Sequence, residues 1–148
     1  MTVQTIRKSL SVPLRQDRAF RLFTDGLADW WPVESHSISA GQSKRPQKLT
    51  IESKLNGRII ETLEDGSTTI WGHFSAWTPP TGLVLQWYVG RTSDQATRVS
   101  VEFQARGDET IVTLIHDGFE IFGDDGTDMW TQYQNGWDPV LARFQALV

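Results

Sequence analysis

The chain has 148 residues, of which 39% are hydrophobic and 22% charged, with a formal net charge of −4 and no cysteine. That composition suits one globular domain, long enough to bury roughly 68–70% of its unfolded surface. It excludes disulfide staples, thiolate nucleophiles and cysteine-based zinc sites. With no apolar run of ~18 residues and no signal-peptide core in Met1–Thr5, a cytoplasmic location is expected.

Residues 1–60 hold 10 Lys/Arg against 5 Asp/Glu, and residues 61–148 hold 4 against 13. The net acidity and the lack of a basic-aromatic patch argue against a nucleic-acid partner.

Gln4–Leu14 alternates, with Ile6, Leu10, Val12 and Leu14 on one side, and predicts a first strand closed by Pro13. Asp17–Thr24 carries Ala19, Phe20 and Phe23 at helical spacing, with Gly26 positioned as a stop. Leu27–Trp31 reads as a further helical turn, closed by Pro32. The serine-rich, aperiodic residues 33–47 predict a loop free to move.

Six strands rich in β-branched and aromatic residues follow: Leu49–Leu55, Arg58–Leu63, Thr69–Trp77, Leu83–Val89, Thr97–Gln104 and Thr110–Ile115. Turns at Asn56–Gly57, Glu64–Ser67, Pro79–Gly82 and Arg106–Glu109 predict antiparallel neighbours. Alternation directs Leu83, Leu85 and Trp87 to the core, along with Val99, Val101 and Phe103, and Val112, Leu114 and His116. Thr69–Trp77 is ambiguous, because Trp71 and Trp77 fall on one face and Ile70 and Phe74 on the other.

The acidic turn Gly123–Asp128 leads into a long helical segment. Its large apolar residues are Trp130, Tyr133, Trp137, Val140, Leu141, Phe144 and Val148. Steps of 3 or 4 put them in one stripe about 100° wide, aromatic first and aliphatic later. Pro139, three residues after Gly136, predicts a bend near residues 135–139. The acidic turn reads as a helix N-cap by Asp125 or Thr127, since a calcium loop would need an acid where Asn135 stands. Without βαβ alternation, the fold class is α+β: a curved antiparallel sheet of six or seven strands with the helices on one side.

In this order the elements resemble the helix-grip fold of the SRPBCC superfamily, which includes START domains and birch-pollen-allergen-like proteins. Asp29–Pro32, Gly57-Arg58, Trp71-Gly72, Trp77–Pro80, Leu83–Trp87, His116–Phe119 and Gly136-Trp137 before Val140-Leu141 are similar to one branch, the homologues of the activator of the heat-shock-protein-90 ATPase. The resemblance spans nearly the whole chain. Leu55-Asn56-Gly57 departs from the paired glycines of many relatives. By this reading no counterpart of the eukaryotic activators' N-terminal chaperone-binding domain is expected, which weakens transfer of the co-chaperone role.

The resemblance implies an apolar cavity between the sheet and the terminal helix. Its lining would draw on Trp31, Trp87, Leu114, His116, Trp130, Tyr133 and Trp137, with Tyr133 and His116 as polar anchors. The opposing reading fills that space solidly with aromatic side chains.

His36, His73 and His116 with Glu61, Asp117 and Glu120 follow no catalytic or metal-binding spacing. His116 and Asp117 are strand neighbours, so their side chains point to opposite faces. No catalytic residue, metal or cofactor is assigned. The expected function is non-catalytic binding of an apolar or aromatic small molecule, by a monomer or homodimer. The alternatives are a chaperone-linked stress protein, a cavity enzyme of cyclase, hydratase or hydrolase type with His116 or Glu61 as base, and self-sacrificing toxin resistance.

Overall fold

The computed structural model describes residues 5–147. Met1–Gln4, which include the expected start of the first strand, and Val148, the last position of the apolar stripe, lie outside that range. Seven antiparallel strands make one curved sheet: β1 (Ile6–Val12), β2 (Lys48–Ile51), β3 (Arg58–Thr62), β4 (Thr68–Thr78), β5 (Gly82–Trp87), β6 (Thr97–Arg106) and β7 (Glu109–Asp117). From β2 to β7 each strand pairs with the next in sequence, as hairpin-length turns require, and β1 returns to lie beside β7, with Ile6 opposite His116. The helices are α1 (Gln16–Phe23), α2 (Leu27–Trp30), α3 (Ile38–Gly41) and the 21-residue α4 (Gly126–Ala146). A long terminal helix gripped by a curved sheet is the helix-grip arrangement.

The ambiguity in β4 resolves through two bulges. Ile59 pairs with Gly72 and Ile60 with Ile70, so Trp71 has no opposite residue on β3. Phe74 pairs with Leu85 and Ala76 with Val84, leaving Ser75 as the extra residue against β5. Each bulge breaks the two-residue alternation. Trp71 and Phe74, three apart, therefore both reach the core at 0% and 2% exposure.

Some expected boundaries shift. β2 stops at Ile51, and residues 52–57 form a connector that turns at Asn56, with φ +64°. Gly57 is required there, because a Cβ would lie 1.9 Å from the Glu52 carbonyl oxygen. The 33–47 segment is not a free loop: it holds α3, whose first turn is capped by Ser37 Oγ accepting from Ala40 N at 3.0 Å. The residues before α4 are partly helical too, with 3-10 turns over Phe119–Asp125 that are broken by a kink at Gly123, φ +58°. Asp125 takes the N-cap position but its carboxylate accepts no capping bond, and Thr127 lies inside the helix. α4 continues through Pro139, whose ring is on the exposed side. No helix among the described residues is long and apolar enough to cross a membrane.

The aliphatic half of α4 packs closely. Phe144 is fully buried, with its ring 5.3 Å from Phe23 and 5.0 Å from Trp30, both in edge-on contact. Phe20 and Phe23 in turn meet Phe103 of β6 at 5.1 and 5.7 Å. Lys8–Asp138 at 2.9 Å and Gln145 Nε2 donating to the Ser11 carbonyl at 3.1 Å fasten the helix to β1. The Phe144→Ala variant should lose about 3–5 kcal/mol of stability, the usual cost of emptying a buried aromatic site, read by urea denaturation.

Candidate functional site

Around the aromatic half of α4, four tryptophans from four elements meet. Trp31 follows α2, Trp71 is on β4, Trp87 on β5 and Trp137 on α4. Ring centroids lie 5.2 Å apart for Trp31–Trp71, 5.8 Å for Trp31–Trp87, and 5.9 Å for both Trp31–Trp137 and Trp87–Trp137. An indole N–H can only donate, so each ring needs an acceptor when buried.

Trp137 Nε1 donates to His116 Nδ1 at 3.0 Å. That bond requires an unprotonated Nδ1, so the proton of the neutral ring sits on Nε2, facing Thr97 Oγ1 at 2.6 Å. Thr97 Oγ1, accepting from the imidazole, donates onward to the Trp87 carbonyl at 3.3 Å. His116 is fully buried. Burial, aided by the positive charge of Arg91, pushes it down to about 3.

Glu61 does the corresponding work on the other flank. It points inward from β3 and is fully buried. Its carboxylate accepts from Ile38 N at 3.0 Å, Ser39 N at 2.9 Å, the Ser39 hydroxyl and Trp71 Nε1 at 2.9 Å. Burial alone would raise its pKa, but the bonds from Ser39, Ile38 and Trp71 outweigh it and hold the carboxyl below its ordinary value. The charge is satisfied without a cation, and the 33–47 segment is pinned to the sheet.

Between these anchors lies a cavity of about 390 Å³, within the range of small-molecule sites. Trp31, Trp87, Tyr133 and Trp137 line it, four of the residues expected from the sequence. Leu114 and His116 do not. Both point inward but are fully buried behind other side chains, His116 beneath Trp137 and Tyr133. Trp130 is half-buried and also outside the lining. The wall instead gains Met129, Gln132, Gly136 and Val140 from α4, His36 from the pinned segment, and Val89 and Arg91 from the β5–β6 connector.

Arg91 is held by its own turn. Gly90 takes φ +74°, a conformation other residues rarely adopt. Arg91 Nη2 donates back to the Trp87 carbonyl at 3.1 Å, and the guanidinium lies 4.6 Å from the Phe122 ring centroid. Trp30, Trp31, Trp71 and Trp137 all donate to internal acceptors. Trp87 Nε1, Trp130 Nε1 and Arg91 Nε are buried without one.

The three histidines are separated: His36 at the cavity, His116 in the core, and His73 against Tyr88, with Nδ1 3.0 Å from the phenol oxygen. Asp117, on the opposite face from His116, pairs with Arg98 at 2.8 Å. Among the described residues no group of three His, Asp or Glu is arranged to hold a metal.

The family model described as Activator of Hsp90 ATPase homolog 1-like protein matches residues 13–148. No curated protein matches the sequence. Among solved structures, Txn09, described as an anthrahydroquino-gamma-pyrone synthase complexed with SUM, is 26% identical, with a TM-score of 0.66 over 99% of this chain and 97% of that one. The self-sacrificing resistance protein CalC from Micromonospora echinospora is 24% identical, with a TM-score of 0.70 over 96% and 92%. The Aha1 dimer from Colwellia psychrerythraea is 14% identical, with a TM-score of 0.68 over 96% and 93%. At those identities the last two establish the fold.

The neutral lock on His116 makes stability depend on pH. An unfolded imidazole takes up a proton below about 6.5, whereas the folded one resists down to about 3. The contribution is therefore complete above pH 6.5 and is lost as pH falls toward 3, with a slope approaching about 1.4 kcal/mol per pH unit. His36, also lowered by burial, acts in the same direction. Urea denaturation between pH 6.5 and 4.5 should show this decline in the wild type. The His116→Gln variant should be less stable at pH 7 and much flatter over that interval.

Proposed function

The chain belongs to the Activator of Hsp90 ATPase homolog 1-like family of the SRPBCC superfamily, and on that footing we propose that it binds an apolar or aromatic small molecule beneath the aromatic half of α4. The observation that carries this reading is the cavity of about 390 Å³, walled by Trp31, Trp87, Tyr133 and Trp137. Four aromatic walls suit a planar hydrophobic ligand, and a few polar groups at the rim would orient it. Tyr133, His36, Gln132 and Arg91 are those groups.

Gly136 supports the same reading. A glycine inside a helix costs roughly 0.5–1 kcal/mol relative to alanine. A Cβ at this position would meet nothing closer than His36 Nε2 at 3.9 Å, so packing does not demand glycine. The missing side chain enlarges the cavity.

The two bases considered for an enzyme, His116 and Glu61, have their acceptor atoms occupied and are sealed from the cavity. This favours holding a ligand over transforming it. The likeness to the synthase Txn09 favours a second reading, a reaction in the cavity. His36 and Tyr133 are the lining residues with an imidazole or a phenol to offer such a reaction.

The test is native mass spectrometry with tryptophan-fluorescence titration against a panel of lipids, aromatic compounds and polyketides. A one-to-one complex that quenches tryptophan emission is expected, and a changed ligand mass would favour the reaction reading. No binder across the panel would leave the aromatics as core packing alone. The Gly136→Ala variant should gain about 0.5–1 kcal/mol of stability while binding the same ligand more weakly. Calorimetry and titration on one preparation read both effects.

A further inference from the structure

The charge in the cavity points to the chemistry of the ligand. Residues 61–148 carry 13 acidic side chains against 4 Lys/Arg, yet no Asp or Glu lines the cavity, and its one permanent charge is the cation Arg91. Among the described residues Arg91 forms no ion pair; its guanidinium bonds the Trp87 carbonyl and lies against Phe122. Arg91 Nε and Trp87 Nε1 are both buried without an acceptor. Trp87 is only 3% exposed, and the three other tryptophans of its cluster all have partners. Two orphaned donors and an uncompensated cation in one lining are costly to keep unless something supplies acceptor atoms and negative charge.

Resting on the cavity reading above, we propose that the ligand is an aromatic compound bearing an anionic oxygen group, a carboxylate or an ionised phenol, held by the Arg91 guanidinium. A neutral carbonyl would satisfy the N–H groups and leave the charge unmatched. An anionic oxygen satisfies both. The ring system of the ligand would lie against Trp31 and Trp137.

Anthracene-2-carboxylate and its uncharged primary amide have nearly the same shape and differ in charge. Fluorescence titration of the intact protein should find the carboxylate bound about 10- to 100-fold more tightly, the range for hydrogen bonds to a charged group. In Arg91→Gln the carboxylate should lose its preference over the amide, with an unchanged circular-dichroism spectrum and a cooperative urea transition reporting that the variant is folded. Arg91→Lys should keep part of the preference, because the charge remains but the two-pronged geometry is lost. Equal affinity for both probes in the wild type, or a carboxylate preference that survives in Arg91→Gln, would overturn the inference and leave the cavity reading standing. Failure of the wild type to bind either probe, or any member of the panel, would overturn both.

Discussion

The bond from the Trp137 indole to His116 Nδ1 is the contact on which the concave half of the molecule depends. It joins the long helix to the last strand, and a donor-only indole dictates which imidazole nitrogen is bare. The remaining N–H then turns to Thr97, whose hydroxyl reaches the backbone of Trp87. One helix side chain is thereby tied through β7 and β6 to β5, across three adjacent strands. A histidine committed this way cannot take a proton without setting two N–H groups against each other, so it is a structural brace.

With Trp137 fixed, the helix divides into two regions. Past Pro139, Val140 closes the end of the cavity, and the buried Leu141 and Phe144 belong to the core, Phe144 against Phe23 of α1 and Trp30 of α2. Before it, Met129, Gln132, Tyr133 and Gly136 line the cavity. Trp87, Trp137 and Glu61-anchored Trp71 hold the facing wall through their bonds and mutual edges. Rigid walls matter for recognition because little side-chain freedom remains to be lost when a ligand enters. The same bonding leaves Trp87 Nε1 as a donor without an acceptor.

Much of the fold was legible because it rests on local periodicity. Inward strand positions such as Leu83, Leu85, Val99, Val101, Val112 and Leu114, and the helical stripe, follow from repeats of two and about 3.6 residues. The bulges at Trp71 and Ser75 were not legible, since they depend on what neighbouring strands offer. At the site, alternation identified Leu114 and His116 as inward but could not say that Trp137 and Tyr133 would cover them. Trp130 lies outside the lining, because the cavity meets α4 along Met129, Gln132, Tyr133, Gly136, Trp137 and Val140. Arg91 lies in an aperiodic connector. Its one signal was being among 4 basic residues in an acidic stretch, and an isolated charge reads as a solvated surface group until its surroundings are known. His36 was visible as a residue, yet it takes the Glu61 anchor and the Trp31 indole, which donates to the His36 carbonyl, to hold its segment at the cavity.

The state of His116 tests this account most directly. A long-range proton–nitrogen correlation spectrum of the ¹⁵N-labelled protein at pH 5 resolves the two ring nitrogens of each histidine. One ring should remain neutral, with the proton on Nε2 and a bare Nδ1, unchanged from pH 7, and the Trp137→Phe variant should release it from that single form. A His116 ring that is protonated at pH 5, or that carries its proton on Nδ1, would contradict the account.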